Sequence, residues 1–317
     1  MQLIHGIKRK EMSELETLGS LGEQRIIARL NRFTLDHERL QMGIGDDSAV
    51  VSTPSDEHQV FTSDATLEGI HFESGEVPER IGNKAAGRVL SDLAAMGAHP
   101  EWILINVTAP ASMQIDYLEK VYAGIADQLK RCGGRLIGGD LSEGPSFGLH
   151  LFATGHLPEE KALYRKGARV GDIIWSTGAL GGSRAGKHLD FIPRIPEGIW
   201  LRESGLVHSM MDVTDGLAQD VAHLCGASSV GACLDGAILD KMSSIEAALY
   251  DGEDFELLFT TEATNQERLL TMWTEAFKEP LWQLGVITEE KCGLQIRWNN
   301  REEAIEVHGN QHYRSSE

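Results

Sequence analysis

The chain has 317 residues, of which 41% are hydrophobic and 24% are charged, so length and composition are those of a globular protein with two domains. Its formal net charge of −19 excludes nucleic acids and anionic membrane surfaces as favoured partners, because like charges repel. An anionic ligand would need bound cations that reverse the local field.

The first half of the chain alternates predicted strands and helices. After a polar lead-in, residues 20–33 carry apolar side chains at helical spacing and predict a first helix. Amphipathic helices are predicted at 79–96 and at 112–132, and the second ends at a pair of glycines. Predicted strands occupy residues 59–63, 103–108, 135–137 and 148–154.

The second half of the chain repeats this alternation after a polar stretch at 156–170. We place a domain boundary in that stretch, which predicts an N-terminal domain at 20–157 and a C-terminal domain at 158–317. Predicted strands lie at 172–176, 206–211, 230–234 and 255–260, and helices at 217–224 and 265–277. Both halves therefore belong to the α/β or α+β class.

The cysteines and the apolar segments indicate a cellular location. Four cysteines occur without any CxxC spacing, which predicts free thiols in a reducing cytosol rather than a zinc site or a disulfide framework. The N-terminal residues lack the apolar core of a signal peptide, and no apolar run approaches the length of a membrane span. We expect a soluble, cytoplasmic protein.

Acidic side chains recur beside glycine or another small residue. Most of these motifs lie at the predicted end or start of a strand, where α/β proteins build ligand sites. The six motifs are Gly45-Asp46-Asp47, Ser63-Asp64, Ser91-Asp92, Gly139-Asp140, Asp212-Val213-Thr214-Asp215-Gly216 and Gly252-Glu253-Asp254. Each one alone is more often a turn residue or a helix cap than a ligand. Their recurrence favours a Mg²⁺ site that serves phosphoryl transfer, since Mg²⁺ takes oxygen ligands and bridges to phosphates.

A glycine-rich turn after the strand at 172–176 resembles a P-loop but departs from it. The turn reads GGSRAGKH over residues 181–188, and His188 stands where a P-loop has the serine or threonine that binds metal. We therefore expect a turn that packs near a ligand rather than a true P-loop.

Seven segments in order resemble the thiamine-monophosphate kinase family, a branch of the superfamily that contains aminoimidazole ribonucleotide synthetase. LSDLAAMGAHP and DGEDFELLFT are the most specific to the kinase branch. The segments are GIGDDSAVV (43–51), TSDATLEGIHF (62–72), LSDLAAMGAHP (90–100), LIGGD (136–140), LYRKGARVGD (163–172), MDVTDGLAQDV (211–221) and DGEDFELLFT (251–260).

The resemblance implies a fold and a reaction. It implies a two-domain architecture in which the N-terminal sheet pairs with that of a second subunit in a homodimer, and the C-terminal domain is an α/β sandwich. It implies direct transfer of the γ-phosphoryl group of ATP to thiamine monophosphate with several Mg²⁺ ions, giving thiamine diphosphate. Neither a covalent nucleophile nor a general base is expected, because the acceptor phosphate is already an anionic nucleophile.

The resemblance also implies the site residues. The Mg²⁺ ligands would be Asp47, Thr62, Ser63, Asp64, Asp92, Asp140, Asp212 and Asp215. ATP would contact Gly139, Asp140, Arg165 and Thr214, and thiamine monophosphate would contact His71, Glu253 and Tyr313. An independent argument supports Asp92, since a carboxylate inside an apolar helix is costly unless it is paired or bound to metal. Ordinary roles stay open for Arg165 on the surface, His71 in the core and Thr214 as a helix cap.

Three segments of the chain depart from the family pattern. Leu141, Ser142 and Glu143 replace two threonines and an arginine, Gly182 replaces an aspartate, and Val89 replaces an asparagine. Two other interpretations of the function therefore stay open. One is another ATP-dependent enzyme of the superfamily, of the cyclo-ligase type, which releases free phosphate. The other is a non-catalytic ATP-binding scaffold, which the change at residues 141–143 favours.

Overall fold

The computed structural model describes residues 37–308, together with Arg25, Ile27, Ala28 and Asn31. Tyr313 and most of the predicted first helix at 20–33 lie outside the described residues. Two β-sheets, each covered by helices, account for most of the described chain. No helix among the described residues has both the length and the apolar character that a membrane span requires.

The first sheet has six strands in the order β1-β2-β3-β6-β4-β5. All neighbours in it are antiparallel except β4 and β5, which are parallel. Helices α1 and α2 pack against each other and follow β3 and β4 in the chain. The elements are β1 (Leu40–Met42), β2 (Ala49–Ser52), β3 (Glu57–Leu67), α1 (Pro78–Ala95), β4 (His99–Ala109), α2 (Ile115–Cys132), β5 (Arg135–Glu143) and β6 (Gly148–Pro158).

The second sheet has seven strands in the order β13-β12-β9-β11-β7-β10-β8. Its neighbours are antiparallel except β12 and β9. Its strands are β7 (Ile173–Ser176), β8 (Val207–Asp212), β9 (Val230–Asp235), β10 (Leu257–Thr261), β11 (Trp282–Glu289), β12 (Leu294–Trp298) and β13 (Arg301–Ala304). Its helices are α3 (Lys187–Asp190), α4 (Ile195–Ser204), α5 (Leu217–Ser228), α6 (Gly236–Met242), α7 (Ile245–Tyr250) and α8 (Gln266–Ala276).

One hydrophobic core joins the two sheets. Side chains of α1, such as Leu90 and Leu93, belong to the same buried cluster as Trp175 of β7 and Phe259 of β10. Burial of this apolar surface supplies the main favourable free energy of folding. As a result, β3 and β8 are held close to α1.

The predicted α/β class and the two-sheet arrangement are confirmed. The predicted position of Asp140 at the end of a strand is wrong, because β5 continues past it to Glu143. Asp64 likewise lies inside β3 rather than at its end. In both strands, pairing with a long neighbour extends the strand beyond the segment that its own sequence favours. The domain boundary at 158 stays a prediction; β6 ends at Pro158.

Candidate active site

Three aspartates from separate elements bring their carboxylates into one small space. Asp47 lies just before β2, Asp92 lies in α1, and Asp212 is the last residue of β8. One carboxylate oxygen of each lies within 4.8 Å of the others. The side chain of Asp47 is 1% exposed and Asp212 is 2% exposed. We call Asp47, Asp92 and Asp212 the three-aspartate cluster.

The three-aspartate cluster has the chemistry of a site for a hard divalent cation. Burial, followed by repulsion from neighbouring aspartates, raises the pKa of Asp212 to about 7 and raises that of Asp92 well above its ordinary value. Asp47 Oδ2 is buried and has no hydrogen-bond partner among the described residues. Buried oxygens of this kind call for a partner, and Mg²⁺ prefers carboxylate oxygens. The residues present therefore fit the metal that the sequence predicts.

Hydroxyl groups orient two of these carboxylates. Thr62 Oγ1 donates a hydrogen bond of 2.5 Å to Asp92 Oδ2, and Ser91 Oγ donates one of 2.5 Å to Asp212 Oδ2. Thr62 is a predicted metal ligand, whereas Ser91 was not predicted to act in the site. Each bond occupies one oxygen of its carboxylate and fixes where the other oxygen lies.

Arg165 lies beside the three-aspartate cluster. Its Nη2 donates to Asp47 Oδ1 at 2.5 Å, and its backbone N–H donates to Asp46 Oδ2 at 3.1 Å. Burial and the nearby Asp47 raise the pKa of Asp46 to about 7. Because Arg165 holds Asp47 from one side, the predicted ATP contact is next to the predicted metal ligands.

The predicted ligands of β3 divide between the two faces of the strand. The side chains of Thr62 and Asp64 face α1, whereas Ser63 is exposed on the opposite face and offers the site only its backbone oxygen. Asp64 is held by Arg88 of α1: Arg88 Nη2 donates to Oδ1 at 2.8 Å, and Arg88 Nε lies 2.8 Å from Oδ2. Arg88 was not predicted from the sequence.

A second acidic group follows β8 in the chain. Oxygens of Asp215 and Asp220 and a ring nitrogen of His223 lie within 4.8 Å of one another. Asp220 Oδ2 accepts hydrogen bonds from the backbone N–H groups of Thr214, at 2.9 Å, and of Asp215, at 3.2 Å. Thr214 and Asp215 are thus held in a turn at the start of α5. The sequence signal for Asp220 was its place in the first turn of that helix, where a carboxylate binds free N–H groups.

The predicted residue Asp140 of β5 belongs neither to the three-aspartate cluster nor to the group of Asp215, Asp220 and His223. Asp140 is exposed and accepts a hydrogen bond of 2.9 Å from Ser142 Oγ. A side chain on Gly139 would put its Cβ 1.8 Å from the carbonyl oxygen of Ile105, so the close pairing of β4 and β5 requires glycine there. Among the described residues, neither group of carboxylates includes Asp140.

Two of the predicted acceptor-binding residues, His71 and Glu253, meet around a buried lysine of α1. Lys84 is fully buried; its Nζ lies 2.7 Å from Glu253 Oε1 and donates 2.5 Å to the carbonyl oxygen of His71. Burial alone would raise the pKa of Glu253, but the hydrogen bond from His188 and the charge of Lys84 lower it to about 2. These contacts therefore favour the anionic form of Glu253.

The glycine-rich turn at 181–188 is not a P-loop. The backbone N–H groups of Gly181 and Gly182 donate to the carboxylates of Asp254 and Asp251 instead of presenting an open anion site. The helix that follows, α3, has four residues. His188, at the end of the turn, lies 3.2 Å from Glu253 Oε2 and 2.7 Å from Lys84 Nζ. The turn thus supports the predicted acceptor-binding residues.

Family models of known proteins match this chain in both of its sheets. Residues 45–157 match the family model of AIR synthase related protein, N-terminal domain, and residues 187–297 match the C-terminal domain model. Thiamine-monophosphate kinase of Synechococcus elongatus is 34% identical over 94% of this chain and 98% of its own length. The Escherichia coli enzyme of the same name is 35% identical over 78% of this chain and 85% of its own length.

Solved structures give the same result. AaThiL complexed with AMPPCP and TMP superposes with a TM-score of 0.78 at 28% identity, covering 95% of this chain and 100% of that chain. Thiamine-monophosphate kinase from Stenotrophomonas maltophilia gives a TM-score of 0.69 at 29% identity, covering 86% and 95%. The hydrogenase maturation protein HypE shares the fold, with a TM-score of 0.66 at 17% identity over 89% and 97%. The chain therefore belongs to the thiamine-monophosphate kinase family, within the AIR synthase related proteins.

Proposed function

We propose that this protein phosphorylates thiamine monophosphate with ATP and produces thiamine diphosphate and ADP. The three-aspartate cluster, in a chain whose relatives are thiamine-monophosphate kinases, is the observation that carries this proposal. The related AaThiL structure holds AMPPCP, an ATP analogue, together with TMP. Two negatively charged substrates can meet in a chain of net charge −19 only where cations offset their repulsion.

Asp47, Asp92 and Asp212 would hold Mg²⁺ most directly, since their oxygens share one small space. Thr62, Ser63, Asp64, Asp140 and Asp215 are proposed as further ligands because they match the motifs of the family. Bound Mg²⁺ would neutralise the charge on the phosphate oxygens during transfer. The hydrogen bonds from Thr62 and Ser91 keep the free oxygens of Asp92 and Asp212 directed into the cluster.

The proposed reaction is a direct displacement. An oxygen of the acceptor phosphate attacks the γ-phosphorus of ATP, and the bond from that phosphorus to the β,γ-bridging oxygen breaks, so the electron pair leaves with ADP. The protein contributes position and charge rather than a nucleophile or a general base. Arg165, next to Asp47, is suited to bind the polyphosphate with its planar guanidinium group.

For the nucleotide we propose contacts from Gly139, Asp140, Arg165 and Thr214. An apolar cavity of about 280 Å³ adjoins the end of β5 and supports this part of the proposal. Its walls include Pro110, Met113, Leu118 and Leu141. A flat aromatic base is the kind of group that such a cavity binds.

For the acceptor we propose contacts from His71, Glu253 and Tyr313. Both oxygens of Glu253 contact basic side chains, Lys84 and His188, so its contact with the acceptor is proposed from its match to the family motif DGEDFELLFT. His71 is buried; its backbone oxygen accepts a hydrogen bond from Lys84, and its ring Nδ1 accepts one from the backbone N–H of Leu67. The proposal also includes two domains, at 20–157 and 158–317, and a homodimer that forms through the first sheet.

One assay tests this function. The purified protein is incubated with ATP, Mg²⁺ and thiamine monophosphate, and ADP and thiamine diphosphate are measured together. We expect the two products in equal amounts. Free phosphate without thiamine diphosphate would indicate a cyclo-ligase type of reaction instead. ATP binding without turnover would indicate the scaffold.

A further inference from the structure

Arg88 is a buried cation that two carboxylates share. It lies in α1; its Nη2 donates to Asp64 Oδ1 at 2.8 Å, and its Nη1 donates to Glu253 Oε1 at 3.4 Å. Its side chain is only 11% exposed. Asp64 comes from the first sheet and Glu253 from the loop before β10, so Arg88 joins the two parts of the site.

The position of Arg88 along α1 places it between the two halves of the reaction. Lys84, Arg88 and Asp92 are four residues apart and therefore lie along one face of the helix. Lys84 contacts Glu253 and His71, which are proposed to hold the acceptor, whereas Asp92 belongs to the three-aspartate cluster. Arg88 lies between Lys84 and Asp92. Its side chain therefore faces the region where the acceptor phosphate would meet the γ-phosphate of ATP.

Glu253 does not depend on Arg88 for its charge balance. Its Oε1 is 2.7 Å from Lys84 Nζ, and its Oε2 is 3.2 Å from His188 Nδ1. The contact of 3.4 Å with Arg88 is the longest of the three. The Nη1 edge of the guanidinium group is thus the edge that can bind another anion without leaving a buried charge unpaired.

Two features orient the guanidinium group for such a contact. A hydrogen bond from Nη2 and a close ionic contact of Nε, both to Asp64, hold the group from one side. The carbon of the guanidinium group lies 5.9 Å from the centre of the Phe255 ring, and Phe255 stacks on Phe191 with ring centres 4.0 Å apart. Planar, pre-oriented guanidinium groups are well matched to phosphate oxygens.

We propose that Arg88 is a phosphate-binding residue that contacts the phosphate of the acceptor substrate through its Nη1 edge. This inference rests on the proposed function, because it names the acceptor as thiamine monophosphate. It assigns to Arg88 recognition of the phosphate alone, whereas Glu253 and His71 recognise the rest of the molecule.

Calorimetric titration tests this role by comparing two ligands that differ by one phosphate. Thiamine monophosphate and thiamine are titrated separately into wild type and Arg88→Met, each with Mg²⁺ and AMPPCP. We expect the Kd of the variant for thiamine monophosphate to rise about 30-fold or more, because a buried charged contact is lost. The Kd for thiamine should stay within about threefold. Arg131→Met is the control: Arg131 is an exposed arginine of α2 that pairs with Asp127 of the same helix, and both affinities should be unchanged.

Other outcomes overturn the inference. Equal weakening of both ligands would show that Arg88 only positions Glu253, and no weakening of either would show that it does not contact the acceptor. Arg88→Lys keeps the charge and loses the planar fork, so it covers the case in which Arg88→Met does not fold. Arg88→Lys should weaken the binding of thiamine monophosphate selectively, by a smaller factor than Arg88→Met does. An unchanged ratio of the affinities for thiamine monophosphate and thiamine contradicts the proposal. Turnover by wild type is measured in parallel: its absence rejects the proposed function, whereas turnover with an unchanged affinity ratio rejects only the role of Arg88.

Discussion

Burying three carboxylates against one another raises the free energy of the folded chain unless a cation lies between them. Asp47, Asp92 and Asp212 are brought together from three elements, and only part of their hydrogen-bonding capacity is used by Thr62 and Ser91. A purely structural cluster would place a lysine or arginine among them, as Arg165 does for one oxygen of Asp47. The remaining oxygens are available to metal.

We predict that Asp92→Asn lowers kcat by about 1,000-fold or more, because the amide keeps the shape but removes the charge that holds Mg²⁺. Steady-state measurement of thiamine diphosphate formation at saturating Mg²⁺ checks this. Asp240→Asn, at an exposed position of α6, is the matched control and should stay within about twofold of wild type. Near-normal turnover by Asp92→Asn would rule out its assignment as a metal ligand.

The raised pKa of Asp212 predicts how the increase in protein stability on Mg²⁺ binding depends on pH. Folding raises the pKa of Asp212 from 3.8 to about 7, so the folded state binds more protons than the unfolded state between these values. Stability without metal therefore falls as the pH rises through this interval. Mg²⁺ needs the ionised form, so its increase of Tm should be larger at about pH 8 than at about pH 5. Thermal unfolding with Mg²⁺ and with a chelator measures this, and an equal increase at both pH values would contradict it.

The sequence reveals some of these residues better than others. Asp47, Asp92 and Asp212 stand out because each is acidic within an apolar or glycine-containing motif, and a buried acid needs a reason. Arg88 gives no such signal: it is one basic residue in a helix, and its partners Asp64 and Glu253 lie 24 and 165 positions away. Only the fold shows that these charges meet. The individual site assignments stay predictions.

Helices α1 and α2 cross at two glycines, which lets their backbones approach closely. A Cβ on Gly82 of α1 would lie 1.9 Å from the carbonyl oxygen of Val121, and one on Gly124 of α2 would lie 1.9 Å from that of Glu79. Both distances are too short for any side chain. Since α1 carries Lys84, Arg88 and Asp92, this crossing also sets where the site residues lie.

Gly124→Ala should therefore destabilise the protein by about 2 kcal/mol or more, because the added methyl group forces the two helices apart. Urea unfolding measures the change. The matched control is Gly226→Ala in α5, where a Cβ meets nothing within 4 Å. That substitution should be neutral or stabilising by up to about 1 kcal/mol, since alanine favours helix. Equal effects at the two positions would contradict the close packing of α1 and α2.

The elements were predicted where apolar periodicity is strong. Helices α1 and α2 and strands β7 to β10 match the predicted segments within a few residues. Strands β11 to β13 and helices α4, α6 and α7 have no counterpart among the predictions. Strands β12 and β13 and helices α6 and α7 have seven residues or fewer, too few for a periodic pattern, and depend on packing on the second sheet. The length of β5 escaped prediction because its glycines are weak strand formers and only pairing with β4 extends it.

The first sheet presents an apolar outer face. Trp102 and Leu104 of β4 and Phe152 of β6 are each 36% or 37% exposed, while Ile103, between the first two on β4, points into the core. An exposed apolar patch on a sheet commonly marks an interface between proteins. A second copy of this chain, as the family resemblance implies, is the partner that we expect on this face.

Light scattering after size exclusion tests the homodimer. Wild type should have twice the mass of the 34.8 kDa chain, and Phe152→Glu should shift it toward the monomer, because a charge would be buried in the interface. Val170→Glu changes an equally apolar residue that is 60% exposed outside the sheet, and it should remain dimeric. A monomeric wild type would refute the expected pairing.

The mutual repulsion within the three-aspartate cluster has a consequence for directed evolution. Neutralising one of these carboxylates relieves strain in the native chain while it abolishes the capacity to hold metal. A library selected for heat resistance alone, in the presence of a chelator, should accordingly enrich asparagine or alanine at Asp92 and Asp212. Robust but inert clones would dominate unless turnover is selected in the same round.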